Sequence, residues 1–306
     1  MKHTVPVTAT LILAFLFIQV FGLFALSLNT VVEVAPGGTI TVTHEDTVIG
    51  ERPPIEGWVS LAYMLLGILI GTSLVLLFMR LGEFRLWKGL YFFAVWLASS
   101  ITLGVFISAY VALAVGIALA ILETSRKNVL IHNAVELLIY PGIAIIFVPL
   151  FSIFWAILLL LAISAYDMFA VWKSKHMISL ATFQAESQAF AGFVIPYGRK
   201  GRPSVKAALP KKLTGKGEYR TAILGGGDIA FPLVFAGVVM DWLIKTMGLA
   251  KGAALLESSV ISLFAALALL LLFMKAGKDR FYPAMPFITA GCFAGFAVVW
   301  TVNFLV

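Results

Sequence analysis

Two acidic residues stand where acids are costly. Asp167 lies in the apolar run of residues 163–172, directly after Tyr166, and Asp228 ends the run Gly225-Gly226-Gly227-Asp228 ahead of a long apolar stretch. A carboxylate inside a bilayer costs roughly 2.5 kcal/mol or more even on the lenient insertion scale, so it persists where it has a partner or a task. Two carboxyls held close cannot both ionise; they share a proton and titrate together. One can then take a proton from an attacking water while the other, protonated, polarises a carbonyl. That chemistry hydrolyses an amide with neither a metal nor a covalent intermediate.

The elements that carry the acids follow from hydropathy. Apolar residues fill 61% of 306 positions, charged residues only 12%, and mean hydropathy is +1.02. A soluble domain is about half apolar and a quarter charged, so this chain is a polytopic membrane protein. The apolar runs are long and continuous, which excludes the alternating strands of a barrel. Spans of about 20 residues are expected near 5–28, 58–79, 89–104, 106–122, 129–148, 150–172, 221–244, 252–274 and 283–304. The first has small residues at Ala25-Leu26-Ser27, as a cleavage site would, but its length is that of a retained helix.

The run around Gly104 is too long for one helix and tight for two. Basic residues decide it. With nine spans, the amino terminus inside and the carboxyl terminus outside, 19 of the 22 basic residues fall on inner segments. That topology accounts for the net charge of +7 and leaves nucleic acid without a case. The basic 173–220 segment becomes an inner loop next to anionic lipid heads. It divides the chain into 1–172, the loop, and 221–306. Residues 29–57 are polar and outer, with a short hairpin strand expected from Thr39 to His44 after Pro36-Gly37-Gly38.

Counting from the nearest basic residue, Asp167 is about 9 Å and Asp228 about 12 Å from the inner side, at 1.5 Å per helical residue. Both acids are thus expected at one depth, toward the cytoplasm. The other polar groups have plainer readings. His132, Asn133 and Glu136 form a stripe on the fifth span, read as interior packing beside a water cavity; Asp241 and Glu257 belong near the outer interface. One cysteine and four scattered histidines provide no metal-ligand spacing, so no metal and no cofactor is expected. The glycines ahead of Asp228 weaken the helix and let another backbone approach, and Pro232 weakens it again.

These residues resemble the presenilin and signal peptide peptidase family of intramembrane aspartyl proteases. The family motifs are Tyr-Asp in the sixth span, Gly-x-Gly-Asp in the seventh and Pro-Ala-Leu opening the ninth. The chain has Tyr166-Asp167, Gly225-Gly226-Gly227-Asp228 and Pro283-Ala284-Met285, with Met285 in place of leucine. The resemblance implies a presenilin-like all-α fold, Asp167 and Asp228 as catalytic pair, and Pro283-Ala284-Met285 shaping the active site. It implies transmembrane-helix polypeptides as substrates, in the bilayer of a cell membrane, and its compact size points to a microbial, archaeal homologue. It further implies that a locally unwound substrate pairs as a strand beside the site, with Phe193–Tyr197 and Tyr219–Leu224 as candidate protein strands. Two other readings stand beside it: a prepilin-peptidase-like protease, although no lysine follows Asp228, and an ion-conducting or proton-coupled transporter with acids lining a water path.

Overall fold

The computed structural model describes residues 4–35, 37–126, 128–173, 180, 183, 184, 187, 189–198, 219–276 and 282–305. Most of the basic loop expected over 173–220 lies outside the described residues, as do Lys2, Lys127, Lys278 and Arg280.

Nine long helices are described: α1 Val5–Asn29, α2 Trp58–Leu81, α3 Phe84–Gly104, α4 Ala109–Ser125, α5 Val129–Phe147, α6 Ile153–Met168, α7 Gly226–Met247, α8 Lys251–Lys275 and α9 Met285–Leu305. Eight are long and apolar enough to cross a bilayer; α4 is the shorter apolar helix among them, at 17 residues. The break predicted at Gly104 is real, and the next helix begins at Ala109, after Ser108 at its cap. Pro141 is accommodated inside α5, where Thr102 of α3 donates to the Leu138 carbonyl at 2.5 Å, beside the disrupted turn. Pro149 instead ends α5 in a short 3-10 turn over Val148–Leu150.

Apolar faces gain little by meeting one another in lipid, so tight helix contact depends on small residues. One example is α8 against α9. A β-carbon at Gly291 would stand 2.6 Å from the Phe264 carbonyl oxygen, and one at Gly295 would stand 2.7 Å from the Ile261 Cα. Gly142 of α5 does the same for α3, lying against the Ala98 carbonyl. Helix α7 is the most enclosed, with Leu233 through Met240 all buried. Around it pack α1, α5, α6, α8 and α9. Helix α2 is the opposite case, burying only Ser60 and Met64.

Two antiparallel hairpins complete the described structure: β1 Thr30–Val34 with β2 Ile40–His44, and β3 Gly192–Gly198 with β4 Tyr219–Gly225. The first turns at Gly38, whose φ of +79° only glycine adopts without strain. The second corrects one expectation. The seventh span does not start at 221, because Tyr219–Gly225 is strand and α7 starts at Gly226. Asp228 is therefore in the first turn of its helix, and a depth counted at helical rise from Arg220 does not apply.

Candidate active site

Asp167 lies one residue from the end of α6, before a widened π turn over Phe169–Lys173. It is 6% exposed. Its Oδ2 accepts from the Met285 backbone N–H at 3.0 Å. Met285 is the first residue of α9, so this amide is among those a helix start leaves without an internal partner. The Asp167 carboxylate provides that partner from another helix, and the positive end of the α9 dipole favours the charge. One turn along both helices, Ser164 Oγ and Thr289 Oγ1 lie 2.8 Å apart in a second link. Pro283 and Met285 are buried and Ala284 partly so. Tyr166 turns away from this contact, its hydroxyl donating to Thr72 Oγ1 of α2 at 3.4 Å.

The glycine run joins strand to helix. Gly225 closes β4 and caps α7, placing Asp228 third in the helix, where the dipole favours an acid. None of the three glycines has positive φ. Their use is space. A β-carbon at Gly225 would stand 3.1 Å from Asp228 Oδ2, and one at Gly226 would stand 3.4 Å from the Tyr140 ring and hydroxyl. Pro232, four residues on, cannot give the Asp228 carbonyl its helical hydrogen bond. The next carbonyl, Ile229, accepts from Gln19 Nε2 of α1 at 2.8 Å, and Ser262 of α8 steadies Gln19 at 3.3 Å.

The chain segments holding all three motifs thus converge, with α6, α7 and α9 packed on one another. A sequence model described as signal-peptide peptidase, presenilin aspartyl protease matches residues 41–304. The chain belongs to that family. It is accordingly an intramembrane aspartyl protease and a multi-pass membrane protein. No curated protein matches it. Among solved structures it is similar to one described as a presenilin family intramembrane aspartate protease, at 16% identity and TM-score 0.57, covering 96% of this chain and 99% of that one. At that identity the likeness concerns the fold. The transporter and prepilin-peptidase readings give way to family membership.

In this protease both candidate strands are strands, and they pair with each other: Phe193 lies opposite Leu224 and Ile195 opposite Ala222. The stripe on α5 faces that hairpin. His132 Nε2 meets the Gly192 carbonyl at 2.8 Å, and Asn133 grips Val194 by both its N–H and its carbonyl. Glu136 accepts from the Tyr140 hydroxyl. The expected outer groups are at the other end: Asp241 Oδ2 pairs with His44 Nε2 at 2.8 Å, and Glu257 accepts from Asn303 at 2.5 Å. Two contributors escaped sequence reasoning, Gln19 and Glu123. Gln19 carried a signal, being a lone amide within the first apolar span.

Proposed function

We propose that Asp167 and Asp228 are the catalytic pair, and that they hydrolyse peptide bonds within transmembrane segments of other membrane proteins. The ionised member takes a proton from water as its oxygen attacks the scissile carbonyl carbon. The protonated member donates to the carbonyl oxygen, giving a gem-diol. Collapse of that intermediate, with a proton passed to the nitrogen, breaks the C–N bond and releases the amine. The supporting observation is the Met285 amide on Asp167, which fixes one acid through the ninth-helix motif in a chain of this family.

A substrate helix hides its amides in its own hydrogen bonds and must unwind first. The hairpin supports pairing of the unwound segment by strand addition. Along β4, the residues that face away from β3 end at Gly225, next to Asp228. A segment added to that edge would run toward the acid. We take the site to be cytoplasmic: if successive helices alternate in direction, Arg80, Arg126 and Lys275, at the ends of α2, α4 and α8, share the side on which α7 and α9 begin.

The test uses the full chain in liposomes with a synthetic single-span peptide. Wild type should cut the peptide, and Asp167→Asn and Asp228→Asn should each abolish cutting while retaining an acceptor oxygen. Full cleavage by either variant would sink the assignment.

A further inference from the structure

The hairpin beside Asp228 is held by side chains that mimic a neighbouring strand. Antiparallel ladders alternate, so every second residue turns its polar groups to one edge. On the outer side of β3 and its lead-in, four such groups between Phe190 and Val194 meet helix side chains. The Phe190 carbonyl accepts from the Tyr91 hydroxyl of α3 at 3.1 Å. The Gly192 carbonyl accepts from His132 of α5 at 2.8 Å. Val194 is held twice by Asn133, its N–H donating to Oδ1 at 3.0 Å and its carbonyl accepting from Nδ2 at 2.8 Å. The spacing 190, 192, 194 is that of a strand edge.

Behind these contacts lies a buried brace. His132 Nδ1 is 2.6 Å from Glu123 Oε1 of α4, and Tyr91 reaches the same oxygen at 3.3 Å. A carbonyl oxygen can only accept, so His132 Nε2 carries a proton. The remaining proton lies between Nδ1 and Glu123, and either placement preserves the grip on Gly192. Trp87 adds a bond to the Ala189 carbonyl at 3.0 Å. Neither the proton shuttle nor the carbonyl polarisation described above uses any of these groups.

We propose that Asn133 and His132 are positioning residues that fix the hairpin, and with it the peptide bond presented to Asp228. The argument rests on the protease reading and adds a reason for precision. β4 buries Ala222 and Leu224 in the core but connects to α7 through three glycines, a soft joint, so its register beside Asp228 depends on its pairing with β3. β3 pairs with β4 along its length, and Asn133 grips β3 through both polar groups of one residue, with His132 beside it. The same grip closes the outer edge of β3, so that an incoming strand has only the β4 edge to join. An exposed β3 edge would accept a strand in a place where no acid waits.

The experiment compares wild type with Asn133→Ala, Asn133→Asp and His132→Gln, using the full chain in liposomes. Mass spectrometry maps every cut in the synthetic peptide, and hydrogen exchange reads Val194. Asn133→Ala should lower kcat about tenfold to a hundredfold with smaller change in KM, as misplacement of a reacting group does. Cuts at neighbouring bonds should rise about threefold against the main one, because strand placement is loosened. Val194 should lose protection by about tenfold while α7 amides keep theirs. Asn133→Asp retains only the acceptor half and should fall between; it also serves if the alanine variant does not fold. A slower enzyme with an unchanged cut pattern, or unchanged exchange at Val194, would overturn the proposal. A wild type that cuts nothing would instead sink the protease reading, and the exchange arm reads the grip on β3 without substrate.

Discussion

The two hairpins are built from the same element and put to different uses. β1–β2 meets α7 at Asp241, about 20 Å along that helix from Asp228 at 1.5 Å per residue, so the hairpins lie at opposite ends of the bundle. β1–β2 is held by polar side-chain contacts. His44 pairs with Asp241, and Arg52 bonds to the carbonyls of Ile145 and Glu45 and to Asn29 Oδ1. Burial lowers the Arg52 pKa from its ordinary value, while Asp46 and Asp241 pull it back up. β3–β4 is held at its backbone by buried neutral and shared-proton groups, and continues into α7 without a loop. One hairpin caps a bundle; the other delivers a strand edge to an acid.

That contrast can be broken, starting with the largest effect. Asp228→Asn should take cleavage below detection, a loss of at least the ~10²–10⁴ usual for a general acid or base, with thermal stability barely altered. Gly225→Val comes next. Its β-carbon would crowd Asp228 Oδ2, and a displaced carboxyl should lower kcat by about tenfold to a hundredfold in peptide cleavage at saturating substrate. Gln19→Leu leaves the Ile229 carbonyl without its amide partner and should cost about 1–3 kcal/mol in thermal unfolding, with a smaller drop in kcat. Arg52→Ala should cost about 1 kcal/mol, lower the melting point slightly and leave the cut pattern unchanged. An altered cut pattern there would mean the two ends are not separate. The smallest change is Val34→Thr on exposed β1, expected within about 0.5 kcal/mol by thermal melt.

Much of the helical frame was legible because hydropathy is local. Span ends fell within a few residues of the helices, and basic residues resolved the break at Gly104, which apolarity alone left open. Tyr219–Leu224 was harder. The resemblance makes it a strand, but it runs into a long apolar stretch. Hydropathy alone cannot tell a buried strand from the first turn of a helix, and sets the seventh span at 221, five residues ahead of α7. The strand character of Phe193–Tyr197 was legible, but its grip by Asn133 was not. Side-chain partners 61 residues apart, or 210 for Gln19 and Ile229, depend on packing that one sequence does not encode locally. His132, Asn133 and Glu136 were visible as a stripe; that the stripe holds a strand was not.

The bond between Asp167 and Met285 spans 118 residues of chain and has a consequence for biosynthesis. On the ribosome, both acids enter the membrane before the amide that anchors the first of them has been made. At ordinary translation rates, about 5–20 residues per second, the gap lasts on the order of ten seconds. A nascent chain stopped at residue 282 would hold both carboxylates and still lack the start of α9. Assembly of the site is thus tied to insertion of α9, and the enzyme should be inert toward its neighbours in the translocon until that helix has been made.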